Sequence, residues 1–141
     1  MTVEISVVIC AYTEKRWYEL VAAVASVQQQ TLLPAEIVVV IDYNPVLLRK
    51  VQENLTGVIA LENSGDKGLS GARNSGWSVA RGKIVAFLDD DAVAEPDWLE
   101  HLADCYITPE IAGVGGKIVP LWENTQPFWF PDEFNWVIGS T

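Results

Sequence analysis

A chain of 141 residues, half of them apolar and a fifth charged, can bury one sizeable core and reads as globular rather than disordered. Its formal net charge of −10 excludes nucleic acid and anionic membrane as main electrostatic partners, because both need basic surface to neutralise phosphates. Cys10 and Cys105 have neither metal-site nor redox spacing and are read as buried structural thiols.

The first predicted element is Glu4-Ile5-Ser6-Val7-Val8-Ile9-Cys10, the nearly unbroken β-branched run of a strand covered on both faces. A helix over residues 16–30 follows, with Trp17, Leu20, Val21, Val24 and Val27 in one apolar stripe. Residues 36–41 form a second buried strand, Pro45 opens a short helix, and residues 58–61 form a third strand. A glycine-rich loop leads into a helix over residues 71–80. The fourth strand, residues 84–88, runs directly into Asp89-Asp90-Asp91. A helix over residues 97–106 starts at Pro96-Asp97, and residues 114–119 read as a fifth strand. This alternation predicts an α/β, Rossmann-like domain over residues 1–119, with a mainly parallel sheet flanked by helices.

Residues 120–141 differ in character. Trp122, Phe128, Trp129, Phe130, Phe134 and Trp136 crowd there between Pro127 and Pro131, a composition suited to self-association. No apolar run approaches the ~18 residues needed to span a bilayer, and the N-terminus has no signal-peptide pattern. A cytoplasmic location is the expectation, with the full-length protein at the inner face of the membrane.

Ligands of open parallel sheets sit beyond the carboxyl ends of the strands. That edge receives Ala11 and Tyr12 from the first strand, Asp42 from the second, and the three aspartates from the fourth. Consecutive carboxylates repel one another unless a cation neutralises them, and their hard oxygens suit Mg²⁺ or Mn²⁺. Alternation along an extended segment would point Asp89 and Asp91 at one metal and turn Asp90 toward a ribose hydroxyl. The plainer reading is a solvated acidic turn or a helix cap, but Pro96-Asp97 already supplies a helix start nearby.

Asp42 can accept from a nucleobase or ribose, although Asp42-Tyr43-Asn44-Pro45 is equally good turn chemistry. Tyr12 can stack on a base or merely cap the sheet. In the loop before the third helix, Gly68 lets backbone approach a phosphate, and Arg73 is a permanent cation for a pyrophosphate. The spacing matches neither the dinucleotide fingerprint nor the P-loop. His101, flanked by acidic residues, is read as a surface residue.

With these residues in place, the sequence resembles the family 2 glycosyltransferases of the GT-A fold. Ser6-Val7-Val8-Ile9-Cys10-Ala11-Tyr12-Thr13 looks like that family's first strand and turn. Gln30-Thr31 and Glu36 through Asp42 resemble its second strand and base-binding aspartate. Asn63, Gly68, Ala72-Arg73-Asn74 and Gly76 are similar to its next segment, and Ala86-Phe87-Leu88-Asp89-Asp90-Asp91 to its metal-binding strand end, with Pro96-Asp97-Trp98-Leu99 following. Cys10-Ala11 and Tyr43-Asn44-Pro45 depart from the family pattern around the base.

The resemblance implies a nucleoside diphosphate sugar donor, a UDP-sugar first, bound by Ala11, Tyr12, Asp42, Gly68, Arg73, Asp89 and Asp90. Asp91 and Asp89 would hold Mg²⁺ or Mn²⁺. It further implies hexosyl transfer with inversion to a sugar or lipid-linked acceptor. The base for that step belongs to a later acidic motif, expected beyond Thr141, so the chain reads as truncated at its C-terminus and is expected to be inactive alone. Two rivals remain at this point. Asp89-Asp90-Asp91-Ala92-Val93 also fits a haloacid dehalogenase-like phosphotransferase with Asp89 as nucleophile, and a non-catalytic nucleotide-binding module would need no base at all.

Overall fold

The computed structural model describes residues 4–138; residues 1–3 and 139–141 of the two expected segments lie outside the described residues. The chain divides into two compact units, residues 1–104 and 105–141.

In the first unit, strand β1 (Ile5–Ala11) leads through a 3-10 turn (Glu14–Arg16) into helix α1 (Trp17–Gln28). Strand β2 (Glu36–Ile41), helix α2 (Pro45–Asn54) and strand β3 (Ile59–Glu62) follow. Helix α3 (Leu69–Val79), strand β4 (Ile84–Asp89) and helix α4 (Trp98–Asp104) complete it. The strands form one all-parallel sheet in the order β3-β2-β1-β4. This is the α/β architecture of a parallel sheet flanked by helices that the sequence predicts, with boundaries moved by no more than two residues.

Strand alternation sorts the core into two layers. Ile5, Val7, Ile9 and Ala11 of β1, with Ile37, Val39 and Ile41 of β2, face Leu20, Val24 and Val27 of α1, Leu47 and Val51 of α2, and Leu99 of α4. Val8, Val38 and Val40 face the other way, onto Ala72 of α3. Both faces are therefore covered, as the continuous Val/Ile runs require. Gly76 is where α3 lies closest to the sheet, since a Cβ there would collide with Val8 Cγ1 and stand 3.0 Å from Val40 Cγ2.

The fifth strand expected over residues 114–119 is absent. That stretch carries Gly115 and Gly116, directly after Gly113, and their backbone entropy opposes an ordered strand. In the second unit the aromatic residues instead gather around Phe130, whose ring lies 5.6 Å from Trp122, 6.1 Å from Trp129 and 6.4 Å from Phe134 between centroids. A 3-10 helix runs over Asp132–Ile138.

At the edge of the sheet away from the aspartates, Glu36 ties three elements together. Its carboxylate accepts from Ser6 Oγ at 2.8 Å and from the Arg81 amide at 2.6 Å, and Gly82 N donates to Ser6 Oγ at 2.8 Å. The Arg81 amide, and then the Ser6 hydroxyl, hold Glu36 below the ordinary glutamate value. A lowered folded pKa adds stability above the unfolded value near 4.5, and that stability is lost as pH falls through the folded one. Glu36→Gln should therefore lower stability by about 1–2 kcal/mol at neutral pH. Melting curves of both proteins across pH should show the gap closing below roughly pH 4.5; a gap independent of pH would disprove the ionic role.

Candidate functional site

The strand order reverses at β1, whose neighbours are β2 on one side and β4 on the other. Such a switch point opens a crevice at the carboxyl ends of the strands. Here Cys10 pairs in register with Asp89 and Ala11 with Ile41, which brings the ends of three strands together. The result is a cavity of about 240 Å³. Cys10 and Ala11 lie along it from β1, Leu69 and Ala72 from α3. Its polar groups are Tyr12, Arg16, Asp42 and the three aspartates.

Asp42 is more committed than the sequence suggested. Its Oδ1 accepts from Asn63 Nδ2 at 2.7 Å and its Oδ2 from the Gly68 amide at 3.0 Å. Asn63 is buried and also donates to the Asp66 carbonyl, while its Oδ1 accepts from the Gly65 amide and the Ser75 hydroxyl. Tyr43, at φ +50°, donates its hydroxyl to the Gly65 carbonyl at 2.8 Å. The glycine loop is thus held at both ends. The Gly68 amide, expected to face a phosphate, is turned onto Asp42 instead.

The aspartates also depart from simple alternation. The Ala92 amide closes a turn onto the Asp89 carbonyl at 3.1 Å, so the chain leaves the extended conformation at Asp90 and the period of two ends there. Asp89 Oδ1 pairs with Arg73 Nη2 at 3.0 Å. Asp90 Oδ1 and Asp91 Oδ2 share Arg16 Nη1 at 3.1 and 3.3 Å. Asp90, expected to turn toward a ribose hydroxyl, is the buried one. Its side chain is 7% exposed and its Oδ2 has no hydrogen-bond partner. Burial raises the Asp90 pKa against the opposing pull of Arg16.

Of the other expected site residues, Ala11 is buried, while Tyr12 is exposed and has the Arg16 guanidinium 5.9 Å from its ring centroid. Arg73 lies outside the cavity lining, with its guanidinium over Phe87 and engaged by Asp89. Burial pushes the Cys10 thiol up to about 11, so it stays protonated at neutral pH. Cys105, read as buried, is exposed. His101 lies on the surface beside Asp97.

The sequence missed Arg16, read simply as the first residue of a helix. Its partners lie 74 and 75 positions away, and only the β1–β4 pairing brings them close. It also missed Asn44, which caps α2 through Leu47 N and donates to the Tyr12 carbonyl and to Glu14.

The donor set suits a hard divalent cation: three carboxylates on one turn, one with a buried oxygen left over. Among the described residues no three His, Cys, Asp or Glu side chains converge as a finished ligand set.

The sequence model of glycosyl transferase family 2 matches residues 6–139. The chain belongs to glycosyl transferase family 2. A glucosyl-dolichyl phosphate glucuronosyltransferase of Haloferax volcanii is 39% identical over 140 residues, covering 96% of this chain and 45% of that protein. An uncharacterized glycosyltransferase of Nostoc is 34% identical over 115 residues, covering 79% of this chain and 35% of its own length. The chain therefore spans less than half of the curated relatives it matches. In fold it is similar to a mannosyltransferase of Pyrobaculum calidifontis, solved with GDP-Man and Mn²⁺, with TM-score 0.62 and 21% identity over 77% of this chain and 34% of that one. The family match leaves the haloacid dehalogenase-like reading of Asp89 without support. Among the described residues no helix is long and apolar enough to cross a membrane.

Proposed function

We propose that this chain is the donor-binding part of a family 2 glycosyltransferase. One observation carries the reading: Tyr12, Asp42 and Asp89–Asp91 reach a single cavity at the strand-order reversal. Tyr12 stacks on the base of a nucleoside diphosphate sugar. Asp42 already holds the Gly68 amide and Asn63, and its remaining lone pairs face the base or ribose. Asp91 and Asp89 would hold Mg²⁺ or Mn²⁺, and Arg73 and Arg16, paired to Asp89 and to Asp90 and Asp91, would add positive charge at the same end. The bound ion supplies Lewis-acid stabilisation of the leaving diphosphate.

Inverting transfer also needs a carboxylate to take the acceptor proton. The carboxylates lining the cavity are Asp42 and Asp89–Asp91, and each already holds an amide or a guanidinium. The base is therefore proposed to lie elsewhere in a longer protein. The name of the Haloferax relative supports a glycosyl donor of the uronosyl type and a lipid-phosphate-linked acceptor. Residues 120–141 remain the proposed self-association surface, with Phe128, Trp129 and Trp136 exposed.

Calorimetric titration of UDP and GDP, with and without Mn²⁺, tests the donor site. UDP should bind in the micromolar range, and chelation should weaken it by roughly tenfold or more. Equal affinity with and without metal would reject the assigned role of the aspartates. Preference for GDP would correct the base alone.

A further inference from the structure

In the donor-site reading Arg16 contributes only positive charge, yet it stands between the aspartates and Tyr12. Its Nη1 stands 3.1 Å from Asp90 Oδ1 and 3.3 Å from Asp91 Oδ2, and its guanidinium carbon lies 5.9 Å from the Tyr12 ring centroid. One side chain thus touches two of the three carboxylates and lies over the aromatic ring assigned to the base.

Its position is fixed from both sides. Thr13 Oγ1 caps the 3-10 turn through the Lys15 amide, and Asn44 ties the Tyr12 carbonyl and the Glu14 carboxylate to the start of α2. Just beyond, the Lys50 ammonium lies 4.3 Å from the Trp17 ring centroid.

The two arms of the pair are unequal. Asp90 is almost fully buried, and losing Arg16, its one cation among the described residues, would leave a charge stranded beside an oxygen that already has no partner. Asp91 is about half exposed, so its arm is screened by water and opens at small cost.

We propose that Arg16 is a built-in counter-cation that makes metal binding conditional on the donor. In the donor-free chain Arg16 neutralises Asp90 and Asp91 together. On donor binding it keeps Asp90 and releases Asp91. Released to a metal arriving alone, Arg16 gains nothing in exchange; released beside a diphosphate, its fork gains a phosphate oxygen. The residue is a positioning group for Asp91, and the inference rests on the donor-site reading above.

The test follows Mn²⁺ binding to the 141-residue chain by electron paramagnetic resonance, with and without UDP, in wild type, Arg16→Met and Arg16→Lys. In Arg16→Met the affinity for Mn²⁺ alone should rise roughly tenfold, and the gain in Mn²⁺ affinity produced by UDP should shrink. Arg16→Lys keeps the charge without the fork and should lie between. If Arg16→Met does not fold, by circular dichroism, Arg16→Lys carries the test alone. Equal Mn²⁺ affinities in wild type and a folded variant, with UDP-dependent binding intact, would overturn the role of Arg16 and leave the donor site standing. No Mn²⁺ binding by wild type even with UDP would overturn both.

Discussion

Gly71→Ala is expected to lower the melting temperature by roughly 10 °C and to weaken nucleotide binding with it. Gly71 sits in the first turn of α3, where alanine alone would favour the helix by about 1 kcal/mol. Against that gain, a Cβ at Gly71 would overlap the Asp66 carbonyl oxygen and approach the Asp66 carbonyl carbon at 2.9 Å. The obstacle is backbone and is not free to swing away. The Asp66 carbonyl accepts from Asn63 Nδ2, and Asn63 in turn holds Asp42. Overpacking of this kind costs typically 1–3 kcal/mol, and a lost hydrogen bond adds about 1 more, so the clash outweighs the helix propensity. Because the displaced loop carries the Gly68 amide to Asp42, the damage reaches the cavity. Gly65→Ala is the control. Its nearest neighbours would stand at 3.5 and 3.6 Å, ordinary contact, and its melting temperature should move by no more than about 2 °C. Thermal melts and UDP titrations of the two variants separate the cases. Equal behaviour of both would show that the loop yields freely.

The same loop marks where the sequence stops being legible. The sheet could be read from the chain because Val7 to Ile9 and Val38 to Ile41 are buried on both faces, and continuous Val/Ile runs have few other uses. The edge that carries the site followed from the same reading, since Asp42 and Asp89 directly follow or end such runs. The direction of each side chain did not follow. Alternation holds while the backbone is extended, and the turn at Asp90 ends it, so the aspartate expected to turn toward a ribose hydroxyl is the buried one. Gly68 was assigned to a phosphate from its residue type, but the Asp42 carboxylate, 26 positions away, takes its amide first. The fifth strand failed for a related reason. Val114, Ile118 and Val119 supply the apolar character of a strand, but the backbone entropy of Gly115 and Gly116 between them opposes one. Arg16 belongs to the same class as Gly68. Its chemistry was visible and its partners were not, because long-range ion pairs exist only once the strands are in register.

Replacing Asp89 and Asp91 together by asparagine is expected to abolish the metal dependence of UDP binding. Asparagine keeps the shape of each side chain and one oxygen, but removes two of the charges that attract a divalent ion. Loss of a single supporting carboxylate commonly costs metal affinity 10- to 100-fold, so the pair should cost roughly hundredfold or more. The fold should barely notice. Both carboxylates are exposed, at 61% and 49%, and exposed ion pairs contribute little to stability. A second consequence separates this account from general electrostatics. Arg73 loses its Asp89 partner and Arg16 one of its two, so both guanidinium groups are freer to meet a diphosphate. Metal-free UDP binding should therefore hold steady or strengthen while the response to Mn²⁺ disappears. The single variants should fall between, with Asp91→Asn the more damaging, because Asp91 is the carboxylate that Arg16 gives up to the ion. Calorimetry with and without Mn²⁺ on wild type, the two single variants and the double variant reads all of these at once. A double variant whose UDP binding still responds to Mn²⁺ would move the metal off these aspartates. Parallel loss of metal-free and metal-dependent binding would mean instead that Asp89 and Asp91 shape the cavity rather than ligate.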